Sequence, residues 1–297
     1  MAALRPASTA SRQAFSELMA SVEEFLAHDI AAYAVTLNAD ASWAVVAVRQ
    51  TSGRIVFVNA RERGRAALTD QASFLGESRP MFPAELVVPD VVGCRIMGRW
   101  MMLGLSNVGP DTPCRSEPTL EQLVPYLFAL RSTSQREIAT AAAHAEFVAR
   151  VSDDPLGLAD LLDSVLPHSA EATMVLCPAH GDFVPWNMDL CDDGLHLWDW
   201  NRVMPGAPWP YDAIHFAFQS RRDLGKQGRE RALHGTMKDL TRLADELRVP
   251  SGDDEAWRML AIYTAYRAAN EQRIRLVGSD TEWLVANIND ARLGRAR

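Results

Sequence analysis

An aspartate planted in an apolar run is the most restrictive thing in this sequence. Leu195-His196-Leu197-Trp198-Asp199-Trp200 reads as a segment wedged into the protein interior. A carboxylate is tolerated there only where a cation or hydrogen-bond donors meet it. The surrounding stretch, Ala179 to Phe216, holds two further oxygen-bearing side chains: Asp182, then Asn187 five residues on, with Asp199 twelve residues beyond that. Carboxylate, amide and carboxylate are the oxygen ligands and proton acceptor suited to a magnesium-bound nucleotide. Asp189, Asp192 and Asp193 between them read as a solvated hairpin tip.

The chain on either side has two textures. Phe15, Leu18, Met19, Val22, Phe25 and Leu26 recur at helical spacing, which predicts an amphipathic helix over Ser11 to Ala27. Strand-like runs follow at Tyr33 to Leu37, Trp43 to Arg49 and Arg54 to Asn59, with turn-forming links that predict an antiparallel meander. A helix over Arg61 to Leu75 and two more strands, Glu85 to Val88 and Arg99 to Gly104, complete a five-stranded first lobe. Ser106 to Pro118 is rich in turn formers and reads as a hinge. Beyond it helices dominate. Thr119-Leu120-Glu121-Gln122 opens one, with Pro125 a candidate kink, and others are expected over Glu137 to Val151, Leu156 to Leu166, Asp223 to Leu247, Asp254 to Val277 and Trp283 to Leu293. The expectation is an α+β chain in two lobes, with a small antiparallel-sheet lobe at 1–105, a hinge at 106–118 and a larger, mostly helical lobe at 119–297. A cleft between lobes is a usual place for a ligand.

Composition excludes some partners. A net charge of −8 argues against nucleic acid, which needs a concentrated basic face, and is compatible with a cationic small-molecule partner. No apolar run approaches the roughly 20 residues that span a bilayer, so no membrane is expected, and the N-terminus carries no recognisable targeting pattern. Cys94, Cys114, Cys177 and Cys191 lack zinc-site spacing and read as reduced thiols in a cytoplasm. The oligomeric state is not encoded in any pattern here.

His180-Gly181-Asp182 followed by Asn187 resembles the HGDxxxxN catalytic loop of the aminoglycoside phosphotransferase and choline kinase-like family. Leu197-Trp198-Asp199-Trp200 resembles that family's metal-binding segment, and Pro205 to Asp212 its following glycine–proline–aspartate element. The resemblance covers about a quarter of the chain and implies a protein-kinase-like fold. It further implies phosphoryl transfer from ATP or GTP, with Mg2+, to a hydroxyl of a small substrate: an aminoglycoside or other antibiotic first, an amino alcohol or sugar second. Asp182 would accept the hydroxyl proton, Asn187 and Asp199 would bind metal, and His180 and Asp212 would support the loop.

The first lobe departs from that pattern. Kinase-like folds hold the α/β-phosphates with a strand lysine, but the only lysines here are Lys226 and Lys238. Asn59, Arg61 and Arg49 are the candidate replacements, although a guanidinium fork is less adjustable than an ammonium. No glycine lies in the link Asn38 to Ser42, where Ser42 could offer a hydroxyl and an amide. Met102, Leu103 and Leu105, in the run from Trp100, are the candidate purine contacts or else a buried strand. The missing lysine motivates a second expectation, a kinase-fold protein that binds nucleotide or ligand without transferring phosphate.

Overall fold

The computed structural model describes residues 9–26, 33–37, 43–48, 54–59, 62–98, 100–106, 117–151, 154–167, 171–274 and 278–295. The chain forms two compact units, Met1–Pro80 with Val88–Val108, and Met81–Val87 with Gly109–Arg297.

The first unit opens with α1 (Thr9–Leu26), followed by β1 (Tyr33–Leu37), β2 (Trp43–Val48), β3 (Arg54–Asn59) and α2 (Glu62–Ser78). The expected meander and its following helix are there within three residues. The next short strand, β4 (Leu86–Val87), departs from expectation: it does not join this sheet but pairs in parallel with a strand of the second unit. The first sheet is completed by β5 (Val91–Met97) and β6 (Trp100–Ser106), giving an all-antiparallel order β1-β2-β3-β6-β5. The strand β5 was not anticipated, because Gly93 and Arg95 interrupt its apolar alternation.

Helix α1 lays Leu18, Met19, Val22, Phe25 and Leu26 against Met102 of β6. Glycine makes that approach possible: a Cβ on Gly104 would come within 2.7 Å of the Phe25 ring. Arg95 on β5 stacks its guanidinium over the same ring and donates to the carbonyls of Phe25 and Glu24, so it also caps the end of α1.

The second unit contains α3 (Leu120–Thr133), β7 (Arg136–Ala139), α4 (Thr140–Arg150), α5 (Leu158–Val165), β8 (Thr173–Ala179), β9 (Met188–Cys191), β10 (Gly194–Leu197) and β11 (Met204–Pro208). After them come α6 (Tyr211–Gln219), α7 (Arg229–Arg242), α8 (Ala244–Leu247), α9 (Asp253–Ile274) and α10 (Ser279–Arg295). Thr119 and Gln122 form a reciprocal capping box at the start of α3, and the helix runs on through Pro125 to Thr133. The helix expected from Glu137 starts three residues late, since Arg136–Ala139 is drawn into pairing with β8. The segment expected as one helix over Asp223 to Leu247 is a turn of π-helix followed by α7 and α8.

Two small sheets hold the loops that matter, β4-β10-β9 and β11-β8-β7. Gly194 explains why β4 is captured. Its φ of 135° and missing side chain let the Glu85 carbonyl approach, where a Cβ would lie only 2.1 Å from that oxygen, and the Leu195 amide donates to it at 2.8 Å. Among the described residues, no helix is long and apolar enough to cross a membrane. Cys94 and Cys177 are free thiols, and burial pushes the Cys177 thiol up to about 12, which makes it inert. Cys191 is disulfide-bonded, contrary to the expectation of four reduced thiols.

Candidate active site

Strand β8 ends at Ala179 and delivers the chain into His180-Gly181-Asp182. The turn needs glycine at its centre: Gly181 has φ 81°, and a Cβ there would sit 2.0 Å from the Arg202 carbonyl. The buried Asp212, in the first turn of α6, clamps the loop from below. Its two carboxylate oxygens accept the His180 and Gly181 amides at 2.7 and 3.1 Å. Burial pushes the Asp212 carboxyl up to about 7, opposed by those two amides. Phe183 and Val184, both fully buried, pin the other side of the turn, while Trp186 stays half exposed.

His180 joins the two halves of the motif. Its Nε2 lies 2.8 Å from the Trp198 carbonyl and must donate to it, so Nδ1 is left to accept the Asp182 amide at 3.3 Å. The imidazole is fully buried against the Trp200 ring, and burial lowers its pKa to about 4. It is a neutral strut between Asp182 and the residue before Asp199.

The β9–β10 hairpin explains the twelve-residue spacing. Met188 pairs with Leu197, the tip turns at Asp192-Asp193, and the Trp198 amide donates to the Asn187 carbonyl at 3.0 Å. The two strands therefore return Asp199 to the end where Asn187 sits. Asn187 is buried, and its Nδ2 donates to both the carbonyl and Oδ2 of Asp182, at 3.0 and 3.2 Å. This commits the amide nitrogen and leaves Oδ1 without a hydrogen bond among the described residues.

Asp199 adopts a left-handed backbone, φ 62° and ψ 54°, which a non-glycine residue rarely holds without a surrounding reason. Its carboxylate has no hydrogen-bond partner among the described residues. Burial pushes the Asp199 carboxyl up to about 6, helped by the charge of Asp182 and opposed by Arg202. Asp182 goes the other way. Burial alone would raise it, but a hydrogen bond from His215 at 3.3 Å and the Arg202 guanidinium at 3.6 Å hold it well below the usual carboxylate range. Two neighbouring carboxylates in opposite regimes, one compensated and one orphaned, fit one negative group that works as such and another awaiting a cation. The free Oδ1 of Asn187 and the unpartnered oxygens of Asp199 form a hard oxygen donor set of the kind magnesium takes.

A different cluster, Cys191, Asp193 and His196, also brings three potential metal ligands together, but the Cys191 sulfur is already in a disulfide. Asp193 instead accepts from His196 at 2.9 Å across the hairpin tip.

The other expected site residues fall elsewhere. Ser42, Arg49 and Arg61 lie outside the described residues, as does the side chain of Asn59, whose backbone pairs with Trp43 and Met101 in β3. Met102, Leu103 and Leu105 are buried in β6, an internal strand laddered to β3 on one side and β5 on the other. Their backbone groups face sheet neighbours, so they are packing residues and offer no free edge to a purine. Three acidic side chains of the second unit outside the loop are paired within it. Asp239 pairs with Arg221 and Arg242, Glu255 with Arg258, and the buried Glu271 with Arg267.

Two groups at the centre of the site carried no sequence signal. Arg202 follows the Trp198-Asp199-Trp200 motif without belonging to it. His215 lies in α6, a helix with eight consecutive buried residues and hence no polar face to announce it. At the start of β11 a cavity of about 290 Å³ opens, lined in part by Phe147, Val203, Met204 and Tyr266, with Arg150 and Arg273 as its charged members.

No family model and no curated protein matches this sequence. Solved structures do. A thermostable mutant of the aminoglycoside phosphotransferase APH(4)-Ia, in ternary complex with ADP and hygromycin B, is 13% identical with a TM-score of 0.55. It covers 93% of this chain and 98% of its own. The GDP complex of a mutant aminoglycoside 2'-phosphotransferase-IIIa is 11% identical with a TM-score of 0.57, covering 96% and 97%. The GDP and kanamycin complex of APH(2'')-IIIa is 12% identical with a TM-score of 0.52, covering 95% and 99%. The chain has the two-lobed, protein-kinase-like fold of these enzymes.

Proposed function

We propose that this chain is a small-molecule kinase that transfers the γ-phosphate of ATP or GTP to an acceptor hydroxyl. The observation that carries the reading is the convergence at one loop of a compensated carboxylate, Asp182, with the two unpartnered oxygen donors of Asn187 and Asp199. Bound there, Mg2+ would neutralise charge on the nucleotide phosphates.

Phosphoryl transfer passes through a loose transition state, so little basicity is needed at the start. A strongly ionised Asp182 suits that: it orients the acceptor O–H by hydrogen bonding and takes its proton as the new O–P bond forms and the bond to the leaving phosphate breaks. Asn187 and Asp199 hold the metal, and His180 and Asp212 fix the backbone between them. Trp200, fully buried with its indole N–H donated to the Leu197 carbonyl, keeps water from one side of Asp199.

Relatives by fold bind hygromycin B and kanamycin, so aminoglycosides and other antibiotics head the acceptor panel, followed by amino alcohols and sugars. The charged groups at the cavity by the start of β11 are arginines, so neutral and anionic hydroxyl compounds belong on the panel as well as cationic ones. ATP and GTP are both abundant in the cytoplasm, where we place the reaction; the disulfide at Cys191 argues the other way.

The competing reading, a kinase-fold protein that binds without transfer, rests on the absence of any lysine before Lys226. ³¹P NMR of the protein with Mg-ATP or Mg-GTP and each acceptor separates the two. A new phosphomonoester resonance that depends on acceptor supports the kinase. Nucleotide binding with no acceptor-dependent product across the panel supports the binding protein.

A further inference from the structure

We infer that His215 is a positioning residue for Asp182, held in the required tautomer by a buried chain of Tyr263, Arg267 and Glu271. The role in turnover rests on the kinase reading above; the hydrogen-bond chain stands on geometry alone.

The direction of every bond in the chain follows from proton counting. Arg267 is always a donor, and its Nη1 lies 2.9 Å from the Tyr263 hydroxyl, which must accept. The single hydroxyl proton then points to its other neighbour, His215 Nδ1, at 3.0 Å. Nδ1 is thereby an acceptor, the ring proton sits on Nε2, and Nε2–H faces Asp182 Oδ1 at 3.3 Å. Burial pushes the Tyr263 hydroxyl up to about 12, which keeps its proton in place.

The far end is anchored just as firmly. Glu271 takes the Arg267 Nε at 2.9 Å on one oxygen and the Gly278 amide at 2.9 Å on the other. Tyr263 and His215 are fully buried, and Arg267 and Glu271 nearly so, so none of these bonds competes with water. Asp182 is thus gripped at both oxygens, by His215 on Oδ1 and Asn187 on Oδ2, which fixes the plane of its carboxylate. A carboxylate free to rotate would meet the acceptor hydroxyl in productive geometry only part of the time.

The test has two arms. In the first, ¹⁵N NMR of histidine-labelled protein, with His215→Gln assigning the resonance, reads the tautomer without any turnover. The expected result is a neutral ring with Nε2 protonated and Nδ1 accepting, and an Nε2 signal that moves in Asp182→Asn. A ring protonated on Nδ1, or on both nitrogens at neutral pH, overturns the chain whether or not an acceptor is known.

In the second arm, His215→Leu is expected to lower kcat by roughly 10–100-fold while leaving the nucleotide KM in place. His215→Gln, which restores an N–H at the Nε2 position, should recover most of the loss. In an Asp182→Asn background, His215→Leu should cost little more, because the two act as a unit. Thermal melts confirm that each variant is folded. A folded His215→Leu with wild-type kcat refutes the positioning role. A wild type that phosphorylates nothing refutes the kinase reading instead, and leaves the tautomer result to decide the chain.

Discussion

The 180–187 loop of the second unit and the sheet of the first were both expected to handle nucleotide, and they are built on different terms. In the loop, three buried side chains are held by named partners, Asp212 under two amides, His180 between two backbone groups and Asp182 gripped at both oxygens, while the Asp199 carboxylate has none among the described residues. In the sheet, the described positions are spent on cohesion. Met102, Leu103 and Leu105 are core, and Gly104 is where Phe25 lies. Burial thus means opposite things in the two places. Where it comes with hydrogen bonds to charged groups it fits the proposed site, and where it comes with aliphatic neighbours it marks packing.

That contrast can be broken or sharpened by substitution. The largest effect is expected for Asp182→Asn, which should reduce kcat by roughly 10²–10⁴-fold with little change in melting temperature, checked by steady-state kinetics on the ³¹P-identified acceptor. Met102→Ala should show the reverse, costing about 2–5 kcal/mol in urea unfolding while the folded fraction retains its kcat.

His180 gives a test in pH. Its buried imidazole titrates near 4 instead of 6.5, so the unfolded chain binds more protons between those values. Stability contributed by keeping it neutral is present above pH 6.5 and is lost as the pH falls towards 4, by about 3 kcal/mol in all. The difference in unfolding free energy between wild type and His180→Gln, followed from pH 7 to pH 4, should therefore shrink as the medium becomes acid. A difference independent of pH would mean the ring is not buried neutral.

The smallest effect is expected for Arg61→Ala. If a guanidinium replaces the missing lysine, the nucleotide KM should rise by up to about tenfold, the worth of one charge-assisted contact. No change would leave the phosphate grip of the first unit to another group.

What could be read from residues alone follows the same division. The geometry of the 180–199 stretch was legible because it is local: a strand end, a tight glycine turn and one hairpin connect Asp182, Asn187 and Asp199. The three-stranded meander and most helices were legible from periodicity. What escaped was decided by tertiary contacts. The strand β4 leaves its sequence neighbours because Gly194 offers it a groove. Helix α6 has no polar face, so neither the element nor His215 within it could be found by pattern. Glu271 pairs with Arg267 four residues earlier on α9, and that spacing alone does not tell a buried pair from an exposed one; packing around α9 buries it.

Asn187 and Asp199 are proposed to hold magnesium for a nucleotide beside Asp182. Isothermal titration of the wild type and of Asp199→Asn with ATP and GTP, each with Mg2+ and with EDTA, tests it directly. The wild type should bind at least one nucleotide in a manner that requires Mg2+ and is lost in Asp199→Asn. Nucleotide binding that is indifferent both to Mg2+ and to Asp199→Asn, or no nucleotide binding at all, would contradict it.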